Sequence, residues 1–170
     1  PLYSPALAAR YGNVLENLYR RMDAAIGHAL HHADPQTLVM VVADHGFRPF
    51  RRSLNVNNWL RDNDLLTLFP GASGPDVDIF SAADWNLTRA YAVGLNSLYL
   101  NLRGREANGI VEPGADQEQT LDAIERGLLA LRDPVSGTQV ISRCYRAGRD
   151  FKGPYMQHAP DLILGYQFPY

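Results

Sequence analysis

The sequence predicts an α/β fold with a parallel-rich sheet and flanking helices, and three observations carry that expectation. A long amphipathic pattern spans residues 5–32, a continuous apolar run follows at 37–42 after a single turn, and shorter strand-like runs flank a second helical pattern at 116–131. Helix, short loop and doubly covered strand is the grammar of this class. With 46% hydrophobic and 20% charged residues in 170, the chain can build a sizeable core, and one compact unit over 1–170 is expected.

In the first pattern Leu7, Tyr11, Leu15, Leu18, Met22, Ile26 and Ala29 recur at three- and four-residue intervals, the stripe of a helix with one buried face. Pro5 suits its first turn, and Asp34-Pro35 ends it. The run from Thr37 to Val42 does not alternate, so it reads as a strand covered on both faces, as in a parallel sheet. Residues 57–61 read as a short helix and 65–69 as a strand closed by Pro70-Gly71. Gly, Pro, Ser and Asp make 71–78 a surface loop. Residues 89–93 and 97–102 are strands of a hairpin turned at Gly94-Leu95-Asn96, and 104–114 is a loop. Leu121, Ile124, Leu128 and Leu131 share a helical face, acids cluster early in that pattern, and Asp133-Pro134 stops it. Strands are expected at 139–145 and 161–164.

Composition excludes several functions. The formal charge of −2 argues against capture of duplex nucleic acid or an anionic membrane by bulk electrostatics. No apolar run approaches the roughly 18 residues that span a bilayer. Cys144 is the only cysteine, which rules out an intrachain disulfide or a cysteine-rich metal cage and leaves the compartment open. Pro1 stands where a start methionine would, and a strand lies close to the other end. The expectation is a fragment of a larger domain, with part of any site outside it and self-association through exposed apolar surface.

The residues that carry chemistry are Asp44-His45-Gly46-Phe47, directly after the apolar run. In open α/β sheets ligands bind beyond the carboxyl ends of strands. A carboxylate and an imidazole there suit zinc or manganese, provided the chain leaves the strand so that neighbouring side chains can turn to one side, which Gly46 permits. The alternative is a capping Asp beside a surface His.

Val-Met-Val-Val-Ala-Asp-His-Gly-Phe at 39–47 resembles the metal-binding strand end of the alkaline phosphatase superfamily, nearest to its type I phosphodiesterase/nucleotide pyrophosphatase branch. The helical segment 19–27, the stretch 91–102 with Gly104-Arg105-Glu106 and Gly109-Ile110-Val111, and Ala159-Pro160-Asp161 through Tyr166 resemble the same family in the same order. The resemblance implies a partial alkaline-phosphatase-like core and a two-metal site for hydrolysis of phosphate esters, with two divalent ions, zinc or else manganese, and a Thr or Ser nucleophile. By that resemblance Asp44 and His45 ligate one of the two ions. The nucleophile, an Asp-x-x-x-His pair and a last His ligand have no counterpart among residues 1–170, so the catalytic residues are expected outside this chain and the chain alone is expected to be inactive. The implied substrate is a small phosphate ester or nucleotide. A sulfatase, phosphonate hydrolase or phosphomutase relative shares the metal framework, and a non-catalytic metal- or phosphate-binding domain is the alternative from another class.

Other residues compete for attention. His28 and His32 are spaced i, i+4 as chelators are, but no Glu follows His28, and His28, His31 and His32 also read as the solvated polar end of a helix. His158 reads as a loop residue and Asp161 as a turn or cap residue. Arg48, Arg51 and Arg52, interleaved with Phe47 and Phe50, suit phosphate or base binding, or a solvated loop with two anchoring rings.

Overall fold

The computed structural model describes residues 4–47, 52–72, 74, 77–168 and 170. They fall into two compact units, Pro1–Phe47 and Arg48–Tyr170.

In the first unit the single helix expected over 5–32 is broken. Helix α1 spans Pro5–Tyr11 and α2 spans Val14–His31. The break falls at Gly12-Asn13, two weak helix formers. The Gly12 N–H closes α1 on the Ala8 carbonyl, and the Asn13 carbonyl opens α2 by accepting from Asn17 N–H at 2.9 Å. The helix stops where expected: Asp34 Oδ1 accepts from the Gln36 N–H at 2.9 Å and the Thr37 hydroxyl at 2.7 Å, building a side-chain-stabilised turn. The strand expected at 37–42 does not form. Leu38, Met40, Val41 and Val42 are 84, 73, 78 and 76% exposed, and no described residue pairs with them. A strand covered on both faces draws its stability from neighbours, and apolar β-branched sequence alone does not supply them. Neither α1 nor α2 buries a residue.

The second unit is an α/β assembly around one four-stranded sheet. Helix α3 (Val56–Asp62) is capped by Asn55, whose Oδ1 accepts from Asn58 N–H at 3.1 Å. A single turn, α4 (Ile79–Ala82), directly follows the region read as loop, of which 73, 75 and 76 lie outside the described residues. Strands β1 (Ala90–Val93) and β2 (Ser97–Leu100) form the expected hairpin, Gly94 supplying φ +66° at its turn. Helix α5 (Ala115–Ala130) is followed by β3 (Ile141–Arg146), a 3₁₀ turn (Met156–His158) and β4 (Leu162–Tyr166).

The sheet order is β1-β2-β4-β3 and every pairing is antiparallel, which corrects the expectation of a parallel-rich sheet. The run that was to supply a buried parallel strand has no partner among the described residues, and the strands that do pair are joined by a tight hairpin or by connections that reverse direction. The strand expected at 65–69 is reduced to one bridge, Leu68 to Ala83, with further backbone bonds to 82–90.

The core is Leu60, Leu98, Leu100, Ile124, Leu128, Ile141 and Leu162, all fully buried. Alternation along β2 and β4 turns Leu98, Leu100, Leu162 and Leu164 to one side, and α5 covers it with Leu121, Ile124 and Leu128. Gly127 lets α5 meet α3: a Cβ there would stand 2.7 Å from the Trp59 ring. No helix among the described residues is long and apolar enough to cross a membrane.

Candidate metal centre

Asp44 and His45 lie in the extended segment after 38–42, where Ala43 leads into a bend at Asp44. Consecutive side chains on a regular strand diverge, and the bend brings these two back to one side. His45 Nε2 is 3.4 Å from Asp44 Oδ2. The spacing is that of a carboxylate–imidazole contact, and it is also compatible with two donors about 2.0–2.1 Å from one tetrahedral ion.

Each group is also oriented through its other polar atom. Asp44 Oδ1 accepts from the His45 backbone N–H at 3.0 Å, while Oδ2 faces His45 Nε2. His45 Nδ1 lies 3.1 Å from the Gly46 carbonyl, a contact that orients the ring. Imidazole ligands are commonly fixed by such a bond to a carbonyl. Phe47 stands edge-on to the imidazole at 5.1 Å between centroids. The pair is open to solvent, His45 being 61% and Asp44 88% exposed at the side chain. Among the described residues no group of three or more His, Cys, Asp and Glu converges, here or elsewhere.

The remaining candidates separate. His28, His31 and His32 stand at the end of α2, with ring centroids 4.8 Å apart for His28–His32 and 5.6 Å for His31–His32. Arg48, Phe50 and Arg51 lie outside the described residues. Arg52 is engaged by Asp133, whose Oδ2 accepts from Nη1 at 2.7 Å and from the Tyr170 hydroxyl, while its Oδ1 accepts from Val135 and Ser136 N–H. Those donors hold the Asp133 carboxyl well below the usual range, Tyr170 contributing most. An Arg so engaged does not offer its full fork to a phosphate. Sequence reasoning assigned Asp133 only as a helix stop; nothing local announces its partners, which are 81 and 37 residues away.

Asp161 is more than a turn residue. It is buried and accepts from Leu100 N–H at 2.7 Å and from both terminal nitrogens of Arg105 at 2.6 and 3.2 Å. Glu106 completes this knot, accepting from Arg105 Nε, Leu102 N–H and the Tyr91 hydroxyl. Burial first, and then the Glu106 charge, push the Tyr91 phenol up to about 12. His158 and Asp161 line an open cleft of about 790 Å³ with Arg103, Gln117 and Met156. Burial, reinforced by Glu125, pushes the Cys144 thiol up to about 11, so it is no nucleophile at neutral pH.

Comparison with known proteins agrees with the order of motifs. The family model for type I phosphodiesterase / nucleotide pyrophosphatase matches residues 4–167. Searches of curated proteins and of solved structures return no match. The match spans nearly the whole chain, and the chain belongs to this family, whose activity is in general the hydrolysis of phosphate esters.

Proposed function

We propose that this chain contributes one half-shell of a divalent-metal centre to a phosphodiesterase or nucleotide pyrophosphatase, with Asp44 and His45 as ligands of one ion of a pair. The observation that carries the reading is the convergence of Asp44 Oδ2 and His45 Nε2 at 3.4 Å, each held by a bond through its other polar atom. The donor set, a hard carboxylate oxygen and a neutral imidazole, suits zinc, with manganese as the alternative. Such ions, when bound, stabilise charge on the attacking and leaving oxygens of an in-line displacement at phosphorus.

The chain's own residues do three things in this reading. Asp44 presents one oxygen while its other stays fixed to backbone, so the carboxylate does not rotate away. The Gly46 carbonyl holds the His45 ring through Nδ1, so that Nε2 is the atom turned to Asp44 Oδ2. Phe47 steadies the ring from the side. The substrate is a small phosphate ester or nucleotide, and the Thr or Ser that attacks it belongs to a segment outside residues 1–170.

The test is turnover of a bis-aryl phosphate with zinc present. The 170-residue chain alone is expected to be inert. A longer protein that carries this chain together with the nucleophile is expected to turn over and to lose at least about 100-fold on Asp44→Asn or His45→Ala, beyond what an outer-shell partner costs. Activity of the isolated chain that Asp44→Asn abolishes would contradict the placement of the nucleophile. Metal binding without turnover in the longer protein would favour a non-catalytic metal-binding role.

A further inference from the structure

We propose a second metal-binding site, built by His28 and His32 at the C-terminal end of α2 and selective for borderline divalent cations such as Cu²⁺, Ni²⁺ and Zn²⁺. Three observations meet there. The first is ring geometry. The two imidazole centroids are 4.8 Å apart with planes inclined at 54°. Two imidazoles bound through nitrogen at about 2.0–2.1 Å to one ion, with a bond angle between about 90 and 109°, have centroids about 4.5–5.2 Å apart. One turn of helix places an i, i+4 pair side by side without distortion, and this is the spacing by which helices present two His ligands to zinc.

The second observation is ring orientation. His32 Nδ1 lies 3.0 Å from the His28 backbone carbonyl, one of the carbonyls left free at the helix end. That contact engages Nδ1 and leaves Nε2 as the ring nitrogen turned to other partners. Orientation of a ligand imidazole by a carbonyl is the arrangement found at Asp44-His45 as well.

The third is access. At 100° per residue, the direction of His28 and His32 lies about 100° from that of Leu15, Leu18, Met22 and Ile26. Whatever covers the apolar stripe leaves the imidazole pair in water. Ala24 and Ala25, one turn earlier, present only methyl groups. The cation on the same line, Arg21, is seven residues or about 10 Å back, near the distance at which salt screens exposed charges. His31 points elsewhere on the helix, its ring 5.6 Å from that of His32 and nearly perpendicular to it. The shell is completed by water, and affinity is expected to follow the order in which imidazole sites prefer Cu²⁺ over Ni²⁺ and Zn²⁺.

This site is independent of Asp44 and His45, and the experiment keeps the two apart. The Asp44→Asn/His45→Ala protein is titrated with Cu²⁺ or Ni²⁺ alone, following heat and ellipticity at 222 nm. One equivalent is expected to bind and to raise the helical signal, because an ion that bridges adjacent turns binds the folded helix and not the unfolded one. Adding His28→Ala or His32→Ala is expected to weaken binding at least about tenfold and abolish the helical gain, whereas His31→Ala changes affinity by less than about twofold. Unchanged affinity in both His28→Ala and His32→Ala, or no bound ion in the parent double variant, would overturn the proposal.

Discussion

Residues 4–47 and residues 52–170 treat their polar groups in opposite ways. In the second unit the charged side chains that matter are consumed. Arg105 is spent on Asp161 and Glu106, Asp133 on Arg52 and Tyr170, and Arg146 on Glu118 and Asp122. In the first unit no helix buries a residue, and the side chains of His28, His32, Asp44 and His45 are exposed. A group that already has its partners holds structure together; a group oriented through one atom and open at the other can take a ligand. By that criterion the proposed metal centre falls in the first unit, and the buried hydrogen-bond network in the second.

The largest effect that sharpens this contrast should come from Asp161→Ala. It removes the buried acceptor of the half-buried Arg105 and of the Leu100 N–H, and a loss of about 3–5 kcal/mol in urea unfolding is expected. Leu98→Ala should follow closely, at about 2–5 kcal/mol for a fully buried leucine, whereas Leu18→Ala on α2 should cost under about 1 kcal/mol, since Leu18 is 48% exposed. Equal losses at Leu98 and Leu18 would break the contrast. Gly127→Ala drives a methyl into the Trp59 ring and should cost about 1–3 kcal/mol. Smallest is Glu16→Ala: its ion pair with Arg20 at 2.7 Å is exposed, and a change of about 0.3–0.5 kcal/mol in helix stability is expected, shrinking with salt.

Acid should also separate the units. Asp116, Asp133 and Asp150 all have carboxyls held below their ordinary range, chiefly by the Glu112 N–H, the Tyr170 hydroxyl and the Arg146 N–H respectively. A depressed folded value stabilises above the unfolded value near 3.9 and is lost as pH falls further, because the unfolded chain then takes up protons first. Both tryptophans, Trp59 and Trp85, belong to the second unit. Their fluorescence should therefore stay native down to about pH 4 and change only below it. A transition near neutrality would contradict this.

What could be read in advance follows from how local each signal is. The short helix α3, the apolar stripe of α5, the hairpin at Gly94 and the strands at β3 and β4 are written within a dozen residues, and they form. The run at 37–42 has the composition of a buried strand, but pairing depends on neighbours the run does not encode. Strand direction is equally non-local, which is why the sheet proved antiparallel. At the proposed metal centre the residue types stand in Asp44-His45-Gly46; the contact of the imidazole with the Gly46 carbonyl does not, because a backbone atom leaves no mark in sequence.

The central claim is that Asp44 and His45 hold one divalent cation between them. Equilibrium zinc binding decides it most directly, measured by chelator competition in the His28→Ala/His32→Ala protein so that only this pair is read. The account predicts a zinc ion whose affinity falls at least about tenfold on Asp44→Asn, equally on His45→Ala, and hardly further when both are changed, since one lost ligand already dissolves a two-ligand grip. Zinc affinity indifferent to both substitutions would contradict it.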